Sequence, residues 1–278
     1  MSKRADAHIH LFDGGFQGSF TSRPGVTVDE PACYESLMAD HDIEAALVVG
    51  FAMQDWCANN NAFLAEQVAK RSWVYPTAFI NPADPPTIDT LETWKRQGFA
   101  GVTLYIFADK DPANLAAISD DVWRFCTANN WLVSVNSRGN NWSAWQSVLD
   151  HHPDLRVIIA HLGLPPRVSN PPADVGAMRP IVELARYTQA RVKLSGFYAL
   201  SDPAYNYPHR EAWPYVETLA EAFGVERLLW ASDFSPCLNA LSFPQAVGMI
   251  EAMPFFSADD RQKIEGDNLL TLLKQARP

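Results

Sequence analysis

Two histidines separated by a single residue, His8 and His10, stand near the start of the chain in the run Asp6-Ala-His8-Ile-His10-Leu. On a strand the two-residue spacing puts both imidazoles on one face together with Asp6, with Ala5, Ala7, Ile9 and Leu11 on the other. Burying two imidazoles and a carboxylate is costly unless they bind something or satisfy one another. His-x-His is also a metal-ligand spacing, of low specificity by itself. Two groups of matching chemistry occur far along the chain. His161 closes the apolar run 157–160 and is followed by Leu-Gly-Leu-Pro-Pro, and Asp233 closes the run 228–232 and is followed by Phe-Ser-Pro. Imidazoles and a carboxylate at strand-to-loop junctions can share a zinc ion, and an aspartate there can act as general base on a water.

The other histidines read as structural. His41, His151 and His152 fall at helix C-termini, where an imidazolium suits the helix dipole, and His209, on a loop with Arg210 and aromatic neighbours, reads as a solvated residue, with a substrate contact as the alternative. Arg138, Arg167 and Arg210 lie on loops expected around the site and can fork onto a substrate carboxylate; Arg167, set among prolines, is the foremost of them. Tyr105 and Asn136, on the fourth and fifth expected strands, are taken as further substrate contacts.

The elements that must position these groups repeat regularly. Short β-rich runs occur at 5–10, 45–51, 73–79, 101–106, 132–136, 156–161, 192–196 and 228–233, and the segments between them carry apolar residues at helical spacing. Thr87 and the Ser119-Asp120-Asp121 run supply helix-start signals. Eight strand–helix alternations in 278 residues predict a distorted (β/α)8 TIM barrel, one domain over residues 1–278, with its chemistry at the C-terminal ends of the strands. An open doubly wound sheet is the rival, and no glycine-rich phosphate-binding motif supports it. The long loops at 11–30 (with Phe12, Phe16 and Phe20), 162–175 and 197–211 would then rise on the site face.

Composition narrows the partners. With 22 Lys+Arg against 32 Asp+Glu, the net charge of −10 argues against coating nucleic acid or an anionic membrane. The longest apolar run, 45–53, is far short of the roughly 20 residues that span a bilayer. Four cysteines without C-x-x-C spacing, and no apolar leader after the basic start, read as a reduced cytoplasmic protein. A homo-oligomer is left open.

Taken in order across nearly the whole chain, Asp6-Ala-His8-Ile-His10-Leu, Ile-Ala-His161-Leu-Gly-Leu-Pro, Lys193-Leu-Ser-Gly and Leu-Leu-Trp-Ala-Ser-Asp233-Phe resemble the amidohydrolase superfamily, in particular its amidohydrolase-2 branch of lactonases and decarboxylases. The resemblance implies a site at the barrel mouth, with one Zn2+ on His8, His10, His161 and Asp233. Asp233 would be the general base and His161 a second catalytic group. Two departures bear on the metal. The fourth strand lacks the lysine or glutamate that bridges two metals in binuclear members, and Asn136 stands where many members have a metal-binding histidine. Some lactonases of the branch are similar in that respect and work without metal, so metal-free catalysis is the alternative. The expected reaction is hydrolysis of a small sugar- or aromatic-derived lactone, and a carboxylate on it would be the group the loop arginines fork onto. The runner-up is non-oxidative decarboxylation of an unsaturated or aromatic acid. A nuclease is disfavoured by the charge and the missing bridging residue, and an inactive binding barrel by the full set of four groups.

Overall fold

The computed structural model describes residues 3–17, 27–169 and 171–276; Phe20, expected in the first long loop, lies outside them. Among the described residues eight strands form: β1 (Arg4–Ile9), β2 (Ile43–Val49), β3 (Val74–Phe79), β4 (Gly101–Ile106), β5 (Leu132–Ser137), β6 (Arg156–Ile159), β7 (Arg191–Leu194) and β8 (Leu228–Trp230). Each pairs in parallel with the next in chain order. The ring is closed just beyond the strands, where the Asp233 amide donates to the His8 carbonyl at 2.9 Å and the His10 amide donates to Phe234. The chain is therefore a (β/α)8 barrel, as the alternation predicts.

A helix follows every strand: Glu30–Asp40, Asn60–Lys70, Ile88–Arg96, Asp120–Ala128, Trp142–His151, the short Arg179–Val182, Trp213–Phe223 and Asn268–Ala276. The expected caps form, with Thr87 accepting from the Thr90 amide and Ser119 from the Asp121 amide. His41 is the C-cap of the first helix, and His151 and His152 end the fifth, as expected. Outward-facing strand residues such as Leu104, Val135, Ile159 and Trp230 pack under the helices in the main core. Inside, the barrel changes character along each strand. On β5, Leu132 belongs to an apolar layer with Ala5, Leu47, Ile158, Leu229 and the last helix. Two residues on, Ser134 is polar, and two further on Asn136 reaches the mouth.

Two expectations about the strands need correction. β6 and β8 stop at Ile159 and Trp230, short of His161 and Asp233. Both residues have left-handed backbones, with φ of 52° and 61°, so neither can continue a strand. The common face expected for Asp6, His8 and His10 is also broken. Asp6 pairs with Ala46 and Ile9 with Val48, so one extra residue on β1 bulges between them. Asp6 consequently turns toward the helix layer, where it accepts the Tyr34 hydroxyl at 2.9 Å, and Ala5 and Ala7 point inward.

Candidate active site

Asp6 supports the site from outside it. Its Oδ1 accepts the backbone amides of His8, at 3.1 Å, and Ser232, at 2.9 Å, tying the end of β1 to the chain leaving β8. This brace sets His8 and Asp233 side by side. His8 Nε2 lies 3.1 Å from His10 Nε2 and 3.7 Å from Asp233 Oδ1. His10 Nε2 and His161 Nε2 are 3.9 and 4.0 Å from the same oxygen. The four residues expected from the sequence thus meet at one point, all buried or nearly so.

Sequence reasoning singled out Lys193-Leu-Ser-Gly only as part of a resemblance, and the structure gives each polar position a task. Lys193 is fully buried and reaches from β7 through the barrel interior to Ser134 Oγ on β5, at 2.8 Å, and His8 Nδ1 on β1, at 3.3 Å. Ser195 Oγ is 2.9 Å from His161 Nδ1 and holds that ring from behind. Gly196, at φ 68°, leaves room for the same ring: a Cβ there would lie 2.7 Å from His161 Nδ1. For Tyr198 the sequence offers no role beyond a place on the 197–211 loop; its hydroxyl donates to Asp233 Oδ2 at 2.5 Å. The one available signal was its place two residues past Gly196, at the start of a long site loop.

Above the four groups opens a cavity of about 230 Å³. Its wall is a chain of contacting rings, Phe16 to Phe12, Phe12 to Phe51, Phe51 to Tyr105 and Tyr105 to Phe107, with centroids 5.2 to 6.4 Å apart and the two pairs that share Phe51 edge-to-face. Glu30 fixes one end of this wall, which sequence reasoning did not find. Its buried carboxylate accepts the amides of Phe12 and Phe16 and the Ser235 hydroxyl, joining the loops that follow β1 and β8. Burial pushes the Glu30 carboxyl up.

Of the expected substrate contacts, Tyr105 and Asn136 line the cavity. They face each other across the β4–β5 pair, and the buried Tyr105 hydroxyl makes no hydrogen bond of normal geometry. The three arginines stand elsewhere. Arg138 lies over Phe107 at 5.8 Å, on an outer groove. Arg167 donates to the Ser201 carbonyl and pairs with Asp202 at 3.0 Å, and Arg210 lies over Trp213. The expectation that His209 is solvated is overturned: it is fully buried, its ring stacked on that of Phe197.

Burial dominates the electrostatics. It raises the Asp233 carboxyl to about 7, with the Tyr198 hydrogen bond opposing the shift. It lowers His10 to about 4 and His161 to about 3, and drops His8 well below its ordinary value, so the three rings are neutral near pH 7. Burial also brings Lys193 down to about 7.

His8, His10 and Asp233 form a cluster that could hold a metal, with ligand atoms within 4.8 Å of one another. Donors about 2.0–2.1 Å from one tetrahedral ion stand about 3.3 Å apart, close to the spacings seen. Asp233 Oδ1 is buried without a hydrogen-bond partner and faces the imidazoles. His10 Nδ1 lies 2.8 Å from the Val49 carbonyl, the outer contact that leaves Nε2 as the donor to a metal. The set fits one divalent ion; the departure is His8, whose outer nitrogen meets the Lys193 amine in place of an acceptor.

The chain belongs to the amidohydrolase family, whose model matches residues 5–274. Among solved structures, an amidohydrolase from Burkholderia multivorans with bound zinc is 20% identical, with a TM-score of 0.81 over 99% of this chain and 100% of that one. A probable 2-pyrone-4,6-dicarboxylic acid hydrolase from Acinetobacter baumannii, with citric acid bound, is 19% identical, with a TM-score of 0.70 and the same coverage. At these identities the likeness speaks for the fold. No curated protein matches the chain. Among the described residues no helix is long and apolar enough to cross a membrane.

Proposed function

We propose that this amidohydrolase opens a small lactone. The observation that carries the reading is Asp233, whose partnerless Oδ1 sits on the floor of a ring-walled cavity beside three neutral imidazoles. A carboxyl held at about 7 is matched to taking and returning a proton near neutral pH. A water beside Oδ1 attacks the lactone carbonyl carbon as Asp233 accepts its proton. The tetrahedral intermediate then collapses, the ring C–O bond breaks, and Asp233 returns the proton to the departing ring oxygen. The product is a hydroxy acid, ionised at neutral pH.

Two neutral donors serve the developing oxyanion. With Ser195 donating to Nδ1, His161 presents an Nε2–H. The Tyr105 hydroxyl, held far above the physiological range by burial, is the other, and Asn136 orients the ring beside it. One Zn2+ would be held by His8, His10 and Asp233 with His161 alongside, and when bound it supplies polarisation of a carbonyl and a more acidic water. Arg138 is the arginine nearest in role to a carboxylate contact, since the Phe107 ring it covers also lines the cavity. Decarboxylation of an acid is the weaker reading, because the described lining places an aspartate and no Lys or Arg against the substrate. The four cysteines, all unpaired and three of them buried, support a cytoplasmic setting.

A pH-indicator assay over a panel of six-membered lactones, run with Asp233→Asn as control, tests the reading. Ring opening that disappears in the variant is expected. Wild-type rates in the variant would remove Asp233 from the reaction.

A further inference from the structure

We infer that the lactone is a flat, apolar one, aromatic or unsaturated and without ring hydroxyls, rather than a sugar-derived one; this rests on the lactonase reading. The cavity, at about 230 Å³, is below the roughly 300–1,000 Å³ of sites for drug-sized ligands and suits one ring or two fused rings. Five phenyl or phenol rings, from Phe12, Phe16, Phe51, Tyr105 and Phe107, make a connected wall, edge-to-face on either side of Phe51 and tilted at the two ends, so that each ring limits the turning of its neighbour. A flat ring meets such a wall with apolar surface on both sides.

The polar inventory points the same way. Most polar atoms that reach the cavity are already engaged within the protein. His10 Nδ1 is held by the Val49 carbonyl and His161 Nδ1 by Ser195, and the Tyr198 hydroxyl is committed to Asp233 Oδ2. What remains among the described lining is Asp233 Oδ1, His161 Nε2, the Tyr105 hydroxyl and the Asn136 side chain. One carbonyl and one attacking water use these four. A six-membered aldonolactone would bring three or four hydroxyls as well, each needing a donor and an acceptor that the phenyl rings do not offer. An apolar pocket rejects one added hydroxyl by up to about 10²-fold, so several together give a discrimination of at least about 100-fold.

The test compares two neutral six-membered lactones with the full-length protein: dihydrocoumarin, flat and hydroxyl-free, and glucono-1,5-lactone. After subtraction of spontaneous hydrolysis, kcat/KM is expected to favour dihydrocoumarin by at least 100-fold. Phe51→Asn, checked for folding by its Tm, should narrow that ratio at least tenfold. Preference for gluconolactone, or a ratio under tenfold, overturns the substrate class and leaves the lactonase reading standing. If neither ring opens, the lactonase reading fails, and binding then decides the class. The hydrolysis-resistant lactam of dihydrocoumarin binding by calorimetry where gluconolactam does not supports the apolar class. The reverse order, or binding of neither lactam, overturns it.

Discussion

Tyr198 and Asp233 share a hydrogen bond of 2.5 Å in which the phenol donates to Oδ2, leaving Oδ1 of the same carboxylate without a hydrogen-bond partner. One oxygen anchors the side chain and the other is left for chemistry. Asp233→Asn keeps the shape but removes the base, and kcat/KM should fall about 10²–10⁴-fold. Tyr198→Phe removes only the anchor. Hydrogen bonds to charged groups contribute about 1.5–3 kcal/mol, so kcat should fall about ten- to hundredfold with KM little changed. Because both changes act through one carboxylate, the double variant should be no slower than Asp233→Asn alone. Multiplying losses would show that Tyr198 has a separate task.

The metal cluster and Lys193 are coupled through His8. Zinc titrated by calorimetry into metal-stripped protein should bind one ion per chain, and His8→Asn should weaken it by at least tenfold. The buried Lys193 amine, 3.3 Å from His8 Nδ1, occupies the place where a metal-bound histidine ordinarily finds an acceptor. Lys193→Met should therefore tighten zinc by about tenfold, about 1.4 kcal/mol. Unchanged affinity in both variants would move the ion off His8.

Much of this was legible in the sequence because hydrophobic periodicity and strand-end chemistry are local signals. All eight strand runs were visible, and so was the convergence of His8, His10, His161 and Asp233, since a barrel brings the C-terminal ends of its strands together. The parity of Asp6 was not legible, because a single bulged residue in β1 reverses every side chain after it and leaves no mark in composition. Lys193 and Glu30 were illegible for another reason. A lysine or glutamate in isolation reads as surface, and their burial is decided by partners more than a hundred residues away, His8 for Lys193 and Ser235 for Glu30. His209 failed similarly, since its loop is polar but folds back under Phe197.

His209 makes the acid side of the stability curve testable away from the site. Its ring is fully buried with neither nitrogen hydrogen-bonded, and burial lowers its pKa below 6.5. The unfolded chain therefore takes up this proton first as pH falls. The stability from neutral His209 is complete above about pH 6.5 and is lost as pH drops through the folded value. Urea midpoints measured at pH 8 and pH 5 should differ less in His209→Asn than in the wild type; asparagine tolerates the left-handed backbone at this position. The buried site histidines keep part of the slope in both. An identical pH difference in the two proteins would mean that His209 titrates as it does in the unfolded chain.

Gly196 and Gly224 separate strain in the fold from strain in the site. Both have positive φ, 68° and 75°, so alanine is disfavoured at either, by about 1–2 kcal/mol or more. The surroundings differ. At Gly224 a Cβ would meet only the end of the Glu226 side chain, at 3.4 Å, which can swing away. At Gly196 it would meet Nδ1, Cγ and Cβ of His161 at 2.7 to 2.9 Å, and that ring is pinned by Ser195 and faces Asp233. Gly224→Ala should lower the Tm and leave kcat/KM within about twofold. Gly196→Ala should lower the Tm by a similar amount but cut kcat/KM at least tenfold, since a misplacement of about 1 Å costs up to about 10² in rate. Equal activity in the two variants, at equal loss of Tm, would mean that the position of the His161 ring does not matter to the reaction.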